Sequence, residues 1–269
     1  LQQSSETLAG RIGYIELPPF SITEVKEEKK LWLRGGLPLS YLASSDEESY
    51  AWRQSYILTF LERDIPNLGF NIPPVLMRRL WMMLAHYHGQ ILNASEIGKS
   101  LSIPHHTVKK YLDILAGTFM VRLLTPWFEN ISKRQVKSPK IYLRDSGLLH
   151  ALLGIQDEEQ LELYPKLGSD WEGFALEEII KEYHAAFEEC YFWSTQTGAE
   201  LDLLIIKDGK KLGFEFKHTD LPKVTPSMRI ALETLKLDHL YVIFPYSGES
   251  FPLSDKITAR GLLQVKWRG

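Results

Sequence analysis

The residues best placed to do chemistry are Asp202, Glu215 and Lys217, in a stretch where two apolar-rich runs, residues 201–206 and 211–218, flank Lys207-Asp208-Gly209-Lys210. An Asp-Gly pair between such runs predicts a tight hairpin, because both turn residues tolerate positive φ. Counting outward from Asp208 and Gly209 sets Asp202 opposite Glu215 and Glu200 opposite Lys217. Side chains alternate along a strand, so these four share one side, while Leu201, Leu203, Ile205, Leu212, Phe214 and Phe216 share the other and read as a core face. Two carboxylates directly opposed repel unless a cation lies between them. Lys217, a divalent metal or both would serve, and carboxylate oxygens with open positions suit Mg2+ or Mn2+. Such an ion can activate water and offset charge on a phosphodiester, with Lys217 orienting the water or neutralising the transition state.

A third acid is predicted from the preceding helix. Over residues 171–187 the apolar stripe is Leu176, Ile179, Ile180, Tyr183 and Phe187, and Glu172 lies one turn before Leu176 on that inward line. An inward acid needs a partner. Glu177 and Glu178 read instead as a solvated face. An acid on a helix, Asp202 on a strand, Glu215-Phe216-Lys217 on the next, then a helix over 227–235 and a strand over 239–244, is an order that resembles the PD-(D/E)xK nuclease superfamily across residues 167–244. The resemblance implies a restriction-endonuclease-like αβββαβ domain, with Glu172, Asp202, Glu215 and Lys217 as the catalytic set and the three acids as metal ligands. Two departures from the pattern are visible: no Pro precedes Asp202 in Gly198-Ala199-Glu200-Leu201-Asp202, and no Gln follows Lys217 in a helix-forming context. The residues alone also allow a plainer arrangement, in which Glu200, Asp202 and Lys217 form an ion-pair lattice on a half-exposed sheet.

The middle of the chain carries the elements that would bring a polyanion to this site. Val75, Leu80, Met83 and Leu84 have helical spacing that Gly89 can end, and residues 94–101 form a short second helix entered through Asn93 as N-cap. After the turn Ser102-Ile103-Pro104, a third helix over 105–115 places Val108, Leu112 and Leu115 inward, so Thr107, Lys109 and Lys110 face out with His105 and His106 near its start. Strands over 120–124 and 140–143 flank the basic loop that holds Lys133, Arg134 and Lys137. Helix-turn-helix followed by such a wing predicts a winged helix whose Lys109, Lys110, Lys133, Arg134 and Lys137 meet phosphates, while His105, His106 and Thr107 lie at the groove. Winged helices also act as protein–protein spacers, the competing reading of the same elements.

Charge is consistent with DNA as the partner, RNA being the other polyanion it would suit. Residues 71–141 hold ten Lys and Arg against three Asp and Glu, although the whole 269-residue chain carries a net charge of −3. A single cysteine, Cys190, excludes an intramolecular disulfide framework, and neither a signal sequence nor a membrane-length apolar run occurs, so a cytoplasmic protein without membrane contact is expected. The start is helix-like over 4–9 and strand-like over 13–17, as in the middle of a larger protein.

Taken whole, the chain resembles the C-terminal region of prokaryotic AAA-type ATPases that carry a trailing domain of unknown function. The residues that carry this are Leu8-Ala9-Gly10-Arg11 with Glu16-Leu17-Pro18-Pro19-Phe20-Ser21, Gly35-Gly36-Leu37-Pro38, Glu62-Arg63-Asp64-Ile65, and above all residues 140–149, Lys-Ile-Tyr-Leu-Arg-Asp-Ser-Gly-Leu-Leu. The resemblance implies a remnant of the ATPase module over 1–24, a helical linker over 25–73, the winged helix over 74–155 and the nuclease-like domain over 156–269, an α+β to α/β multidomain chain. It also implies that Arg11 senses nucleotide in a full-length protein. No Gly-x-x-x-x-Gly-Lys-Ser/Thr stretch is present to cradle phosphates, so ATP is expected only where a separate ATPase module accompanies these residues. The expected function is a DNA-interacting region with metal-dependent cleavage. A catalytically inactive interaction module is the alternative, and a transcriptional regulator would rest on the winged helix alone. No residue pattern sets an oligomeric state.

Overall fold

The protein is seen in a computed structural model that describes residues 13, 15–128, 138–245 and 248–265. Arg11, Lys133, Arg134, Lys137 and the helix expected over 4–9 lie outside the described residues. Of the strand expected over 13–17, the described residues 13 and 15–17 lie in no strand.

After a single helical turn at Ile22–Val25 come helices α1 (Glu28–Arg34) and α2 (Asp46–Thr59), the latter running into a wider π-helical turn at Phe60–Asp64. Helix α3 (Pro74–His86) follows, then strand β1 (Gln90–Ile91), α4 (Ala94–Leu101), α5 (His105–Gly117), β2 (Val121–Pro126) and β3 (Lys140–Leu143). The predicted N-cap is present, Asn93 Oδ1 accepting the Glu96 N–H at 3.2 Å. The tight turn is enforced by two residues. Ser102 takes φ +56° at the end of α4, and a Cβ on Gly98 would lie 2.7 Å from the Ile103 carbonyl oxygen, so only glycine lets α4 and α5 approach this closely. Leu80, Leu84, Val108, Leu112 and Leu115 are buried as predicted, whereas Val75 is exposed because the helical spacing sets it on the side of α3 opposite Met77, Leu80, Trp81 and Leu84.

After α6 (Ser146–Leu153) and α7 (Leu167–Glu182) come β4 (Cys190–Ser194), β5 (Glu200–Lys207), β6 (Lys210–Phe216), α8 (Pro226–Leu235), β7 (His239–Phe244), β8 (Phe251–Ser254) and β9 (Ile257–Gly261). One mixed sheet runs through the whole molecule in the order β1-β3-β2-β4-β5-β6-β7-β9-β8. Its two halves are joined where β2 lies parallel to β4, Thr125 beside Tyr191 and Pro126 beside Phe192. That pairing extends β2 two residues past its expected end at 124.

Three apolar cores result. Ile57, Trp81, Leu84, Val108, Leu112 and Ile141 close the helical half. Helices α1 and α7 cover one face of the larger sheet over Phe192, Leu203, Ile205 and Phe214, and α8 covers the other over Trp193, Leu204 and Val242. Burial on both faces corrects the half-exposed sheet of the sequence reading. Helix α7 ends five residues short of the predicted stripe, leaving Phe187 exposed in a separate turn.

The motifs of residues 35–38 and 140–149 turn out to clasp each other. Asp145 caps α6 by accepting the Leu148 N–H at 2.9 Å and also accepts the Gly36 N–H at 2.9 Å. Gly147 presses on α1 so closely that a Cβ there would lie 2.1 Å from the Arg34 carbonyl oxygen. Buried Arg53 of α2 ties both by donating to the carbonyls of Leu33 and Gly147.

Candidate functional site

The hairpin that carries the acids is as the Asp-Gly pair dictates. Asp208 and Gly209 both take positive φ, and the ladder runs from Lys207 opposite Lys210 to Leu203 opposite Phe214. There it ends, because the Asp202 carboxylate turns in and accepts the Phe216 N–H at 3.1 Å. A register shift between β4 and β5, between Tyr191 and Trp193, disturbs the alternation at this point. Leu201 consequently packs with Leu204 against α8, and not with Leu203 and Ile205 as strict alternation predicts.

The four predicted residues converge. Asp202 and Glu215 are each only 3% exposed, so the surface-lattice reading does not describe them. Lys217 donates to Glu215 Oε2 at 2.9 Å and lies 3.8 Å from Asp202 Oδ2. Glu172 enters from the first turns of α7. The other Glu215 oxygen, Oε1, is buried without a hydrogen-bond partner. Glu200 lies at the rim with its side chain half exposed.

Two further residues complete the cluster, and both come from β3. Lys140, almost wholly buried, places Nζ 3.8 Å from Glu172, 3.8 Å from Asp202 and 4.0 Å from Glu200. Tyr142, fully buried, donates its hydroxyl to Glu172 Oε1 at 2.6 Å. Sequence reasoning missed these two as site residues, although a signal existed: Lys140 and Tyr142 alternate on an otherwise apolar strand and therefore share one side.

Electrostatics follow from burial. Removal from water, reinforced by the neighbouring Asp202 charge, pushes the Glu172 carboxyl up to about 7 and that of Glu215 up to about 8. Burial alone would lower the lysines, but the surrounding carboxylates outweigh it and hold both Lys140 and Lys217 above the ordinary ammonium value. Four acids thus face two ammonium groups, an excess of negative charge that favours the protonated forms of Glu172 and Glu215 relative to carboxyls in water.

A second buried charge cluster corrects the sequence reading of Glu177 and Glu178, both 3% exposed. Helix α7 is wedged between α1 and the sheet, so its supposed outer face is covered too. Glu177 accepts from Arg122 of β2, at 2.9 Å from Nη2, and from Arg144 at 3.4 Å. Burial pushes the Glu177 carboxyl up, yet the Arg122 guanidinium brings it below the ordinary range. Glu178 pairs with Lys181 at 2.7 Å and accepts the Ile22 N–H at 2.6 Å. His105, His106, Lys109 and Lys110 of α5 are exposed and Thr107 is half-buried, and none of them belongs to the acid cluster.

Among the described residues no group of three or more His, Cys, Asp or Glu forms an arrangement that could hold a metal ion as it stands, and no helix is long and apolar enough to cross a membrane. No solved structure matches the chain. The uncharacterized proteins Mb2031c of Mycobacterium bovis and Rv2008c of Mycobacterium tuberculosis are each 51% identical to it over 259 residues, 95% of this chain. The chain spans 58% of the length of these relatives. Residues 167–262, which carry all of the acid cluster's carboxylates, match the domain of unknown function DUF4143, and with residues 25–159 matching the domain of unknown function DUF8612, the chain belongs to that DUF8612 family.

Proposed function

We propose that this chain is the DNA-contacting C-terminal region of an AAA-type ATPase, a winged helix joined to a nuclease-like domain that cleaves phosphodiesters with a divalent metal. The observation that carries the reading is the buried convergence of Glu172, Asp202, Glu215 and Lys217, acids that a fold brings out of water only against strong cost unless cations compensate them. The order of α7, β4, β5, β6, α8 and β7 supports the nuclease-like fold, and the order of α3, β1, α4, α5, β2 and β3 supports the winged helix. The relatives' additional length leaves room for an ATPase module. ATP hydrolysis by the 269 residues alone would contradict that division of labour.

The donor set fits a hard divalent cation in chemistry: carboxylate oxygens only, acids in excess of lysines, and one buried oxygen of Glu215 with no partner. Asp202, Glu215 and Glu172 would hold it. Bound there, such an ion supplies a water of lowered pKa and neutralises developing phosphate charge. The chain's own groups position the reaction. The Phe216 N–H fixes the Asp202 carboxylate, the Tyr142 hydroxyl orients Glu172, and Lys217, its side chain 39% exposed, presents an ammonium to the solvent side where a phosphate oxygen or a water can be bound. The exposed Lys109 and Lys110 of α5 supply sequence-independent attraction for the backbone of DNA.

Incubation of supercoiled and linear DNA with Mg2+ or Mn2+, for the wild type and for Asp202→Asn and Glu215→Gln, tests this reading. Cleavage by the wild type that both variants lose is expected. Cleavage untouched by either substitution would refute the site. One observation favours a second reading, a non-catalytic interaction module: two lysines already offset much of the cluster's charge. Tight DNA binding without metal uptake would decide for it.

A further inference from the structure

Lys140 stands out because it reaches the acid cluster from the other half of the molecule. It belongs to β3, in the part of the chain matched over residues 25–159, whereas Glu172, Glu200, Asp202 and Glu215 all lie within 167–262. Its Nζ is 3.8–4.0 Å from three different carboxylates and within hydrogen-bond distance of none of them. Lys217, by contrast, is bonded to Glu215 at 2.9 Å. A buried ammonium poised among three carboxylates and bonded to none is held by charge, as a free cation would be. It has the position a metal would need, and the carboxylates are spread around it. Two observations stand beside it: among the described residues the acids form no metal group as they stand, and the buried Glu215 Oε1 has no partner. In this same position Nζ also lies 5.7 Å over the Phe192 ring of β4, a further weak attraction for the ammonium.

We infer that Lys140 is the resident counter-cation of the cluster and that a divalent metal binds by displacing it, so that strand β3 sets the metal affinity of a site whose ligands lie in the other half. The inference rests on the metal-dependent reading of Glu172, Asp202 and Glu215. Lys140 is a positioning residue, acting through the carboxylates. In the metal-free protein its ammonium fills the space between them and offsets their mutual repulsion, and its withdrawal leaves that space to a smaller, doubly charged ion. Tyr142, two residues along the same strand, keeps Glu172 in reach in either state through its 2.6 Å hydrogen bond.

The test is Mn2+ binding to the full chain, read by electron paramagnetic resonance and calorimetry without any DNA. Lys140→Met removes the competing charge and keeps the apolar stem, and it should bind Mn2+ about tenfold or more tightly than the wild type, while Lys140→Arg, which keeps the charge, should not. Glu215→Gln in the Lys140→Met background should abolish the gain. Equal or weaker binding by Lys140→Met, with the wild type still binding, overturns the role of Lys140 and leaves the metal site standing. Absence of Mn2+ binding in every variant overturns both. Should Lys140→Met not fold, the wild type answers alone: with 13C-labelled lysine, the Lys140 Cε resonance must move as Mg2+ is titrated, and a resonance that stays fixed while Mg2+ loads refutes the displacement.

Discussion

Acidification should unhinge the two halves of the candidate site through His88. This histidine follows α3, is buried, and accepts the Leu143 N–H at Nδ1 over 3.0 Å, so its proton resides on Nε2. It stands edge-on to Tyr142, ring centroids 5.4 Å apart, and a Cβ on Gly173 would lie 1.8 Å from Nε2. One imidazole thus wedges together α3, β3 and α7, the elements that present Tyr142, Lys140 and Glu172. A second proton would have to go on Nδ1, opposing the Leu143 donor in a buried site. Burial accordingly pushes His88 down to about 4, with the charge of Asp170 only partly opposing and that of His150 adding to the fall. The neutral ring is favoured in the folded state, so the stability it confers is complete above the unfolded value of 6.5 and is lost as pH falls from there towards 4. At about 1.4 kcal/mol per pH unit over that interval the loss reaches about 3 kcal/mol. His88→Asn offers an oxygen to the Leu143 N–H but cannot titrate. Urea unfolding of both proteins, followed by tryptophan fluorescence from about pH 7 to about pH 4, should show the wild type's advantage shrinking by about 3 kcal/mol. Two stability curves that run parallel across this range would refute the assignment of the neutral tautomer.

Two other perturbations probe the rest of the molecule. Glu177→Ala strands the buried Arg122 guanidinium and removes the Arg144 partner, and urea denaturation should register a loss of about 3–5 kcal/mol, well beyond that of an exposed acid such as Glu47→Ala. Lys109→Ala/Lys110→Ala should weaken DNA binding uniformly across sequences and make the slope of log affinity against log salt shallower by about 2, measured by fluorescence anisotropy over a salt series; an unchanged slope would remove α5 from the interface.

Much of the candidate site was legible because it rests on local rules. The Asp208-Gly209 turn fixes the register between β5 and β6 within a few residues, so Asp202, Glu215 and Lys217 could be brought together from the sequence. Helical spacing did the same for Glu172. The errors lie where an element is covered on more sides than its amphipathic pattern reveals. Glu177 and Glu178 look like an exposed face of α7 until β2, carrying Arg122, and the segment at Ile22 close over them. Lys140 and Tyr142 look like ordinary residues of a strand, and nothing in their own neighbourhood points to acids 30 or more positions away.

Local contacts therefore account for the hairpin face and for the helices and strands that flank it and the Ser102 turn, through the Asn93 cap, that turn and the Asp-Gly reversal. That the two halves share one sheet and one charge cluster follows from long-range pairing alone. The parallel pairing of β2 with β4 brings β3 within reach of Asp202 and Glu172, and that pairing joins segments some sixty-five residues apart whose meeting no local pattern encodes. Burial then sets the chemistry, because carboxyls that would be ordinary in water are pushed up and surround a lysine once the sheet and α7 remove them from it.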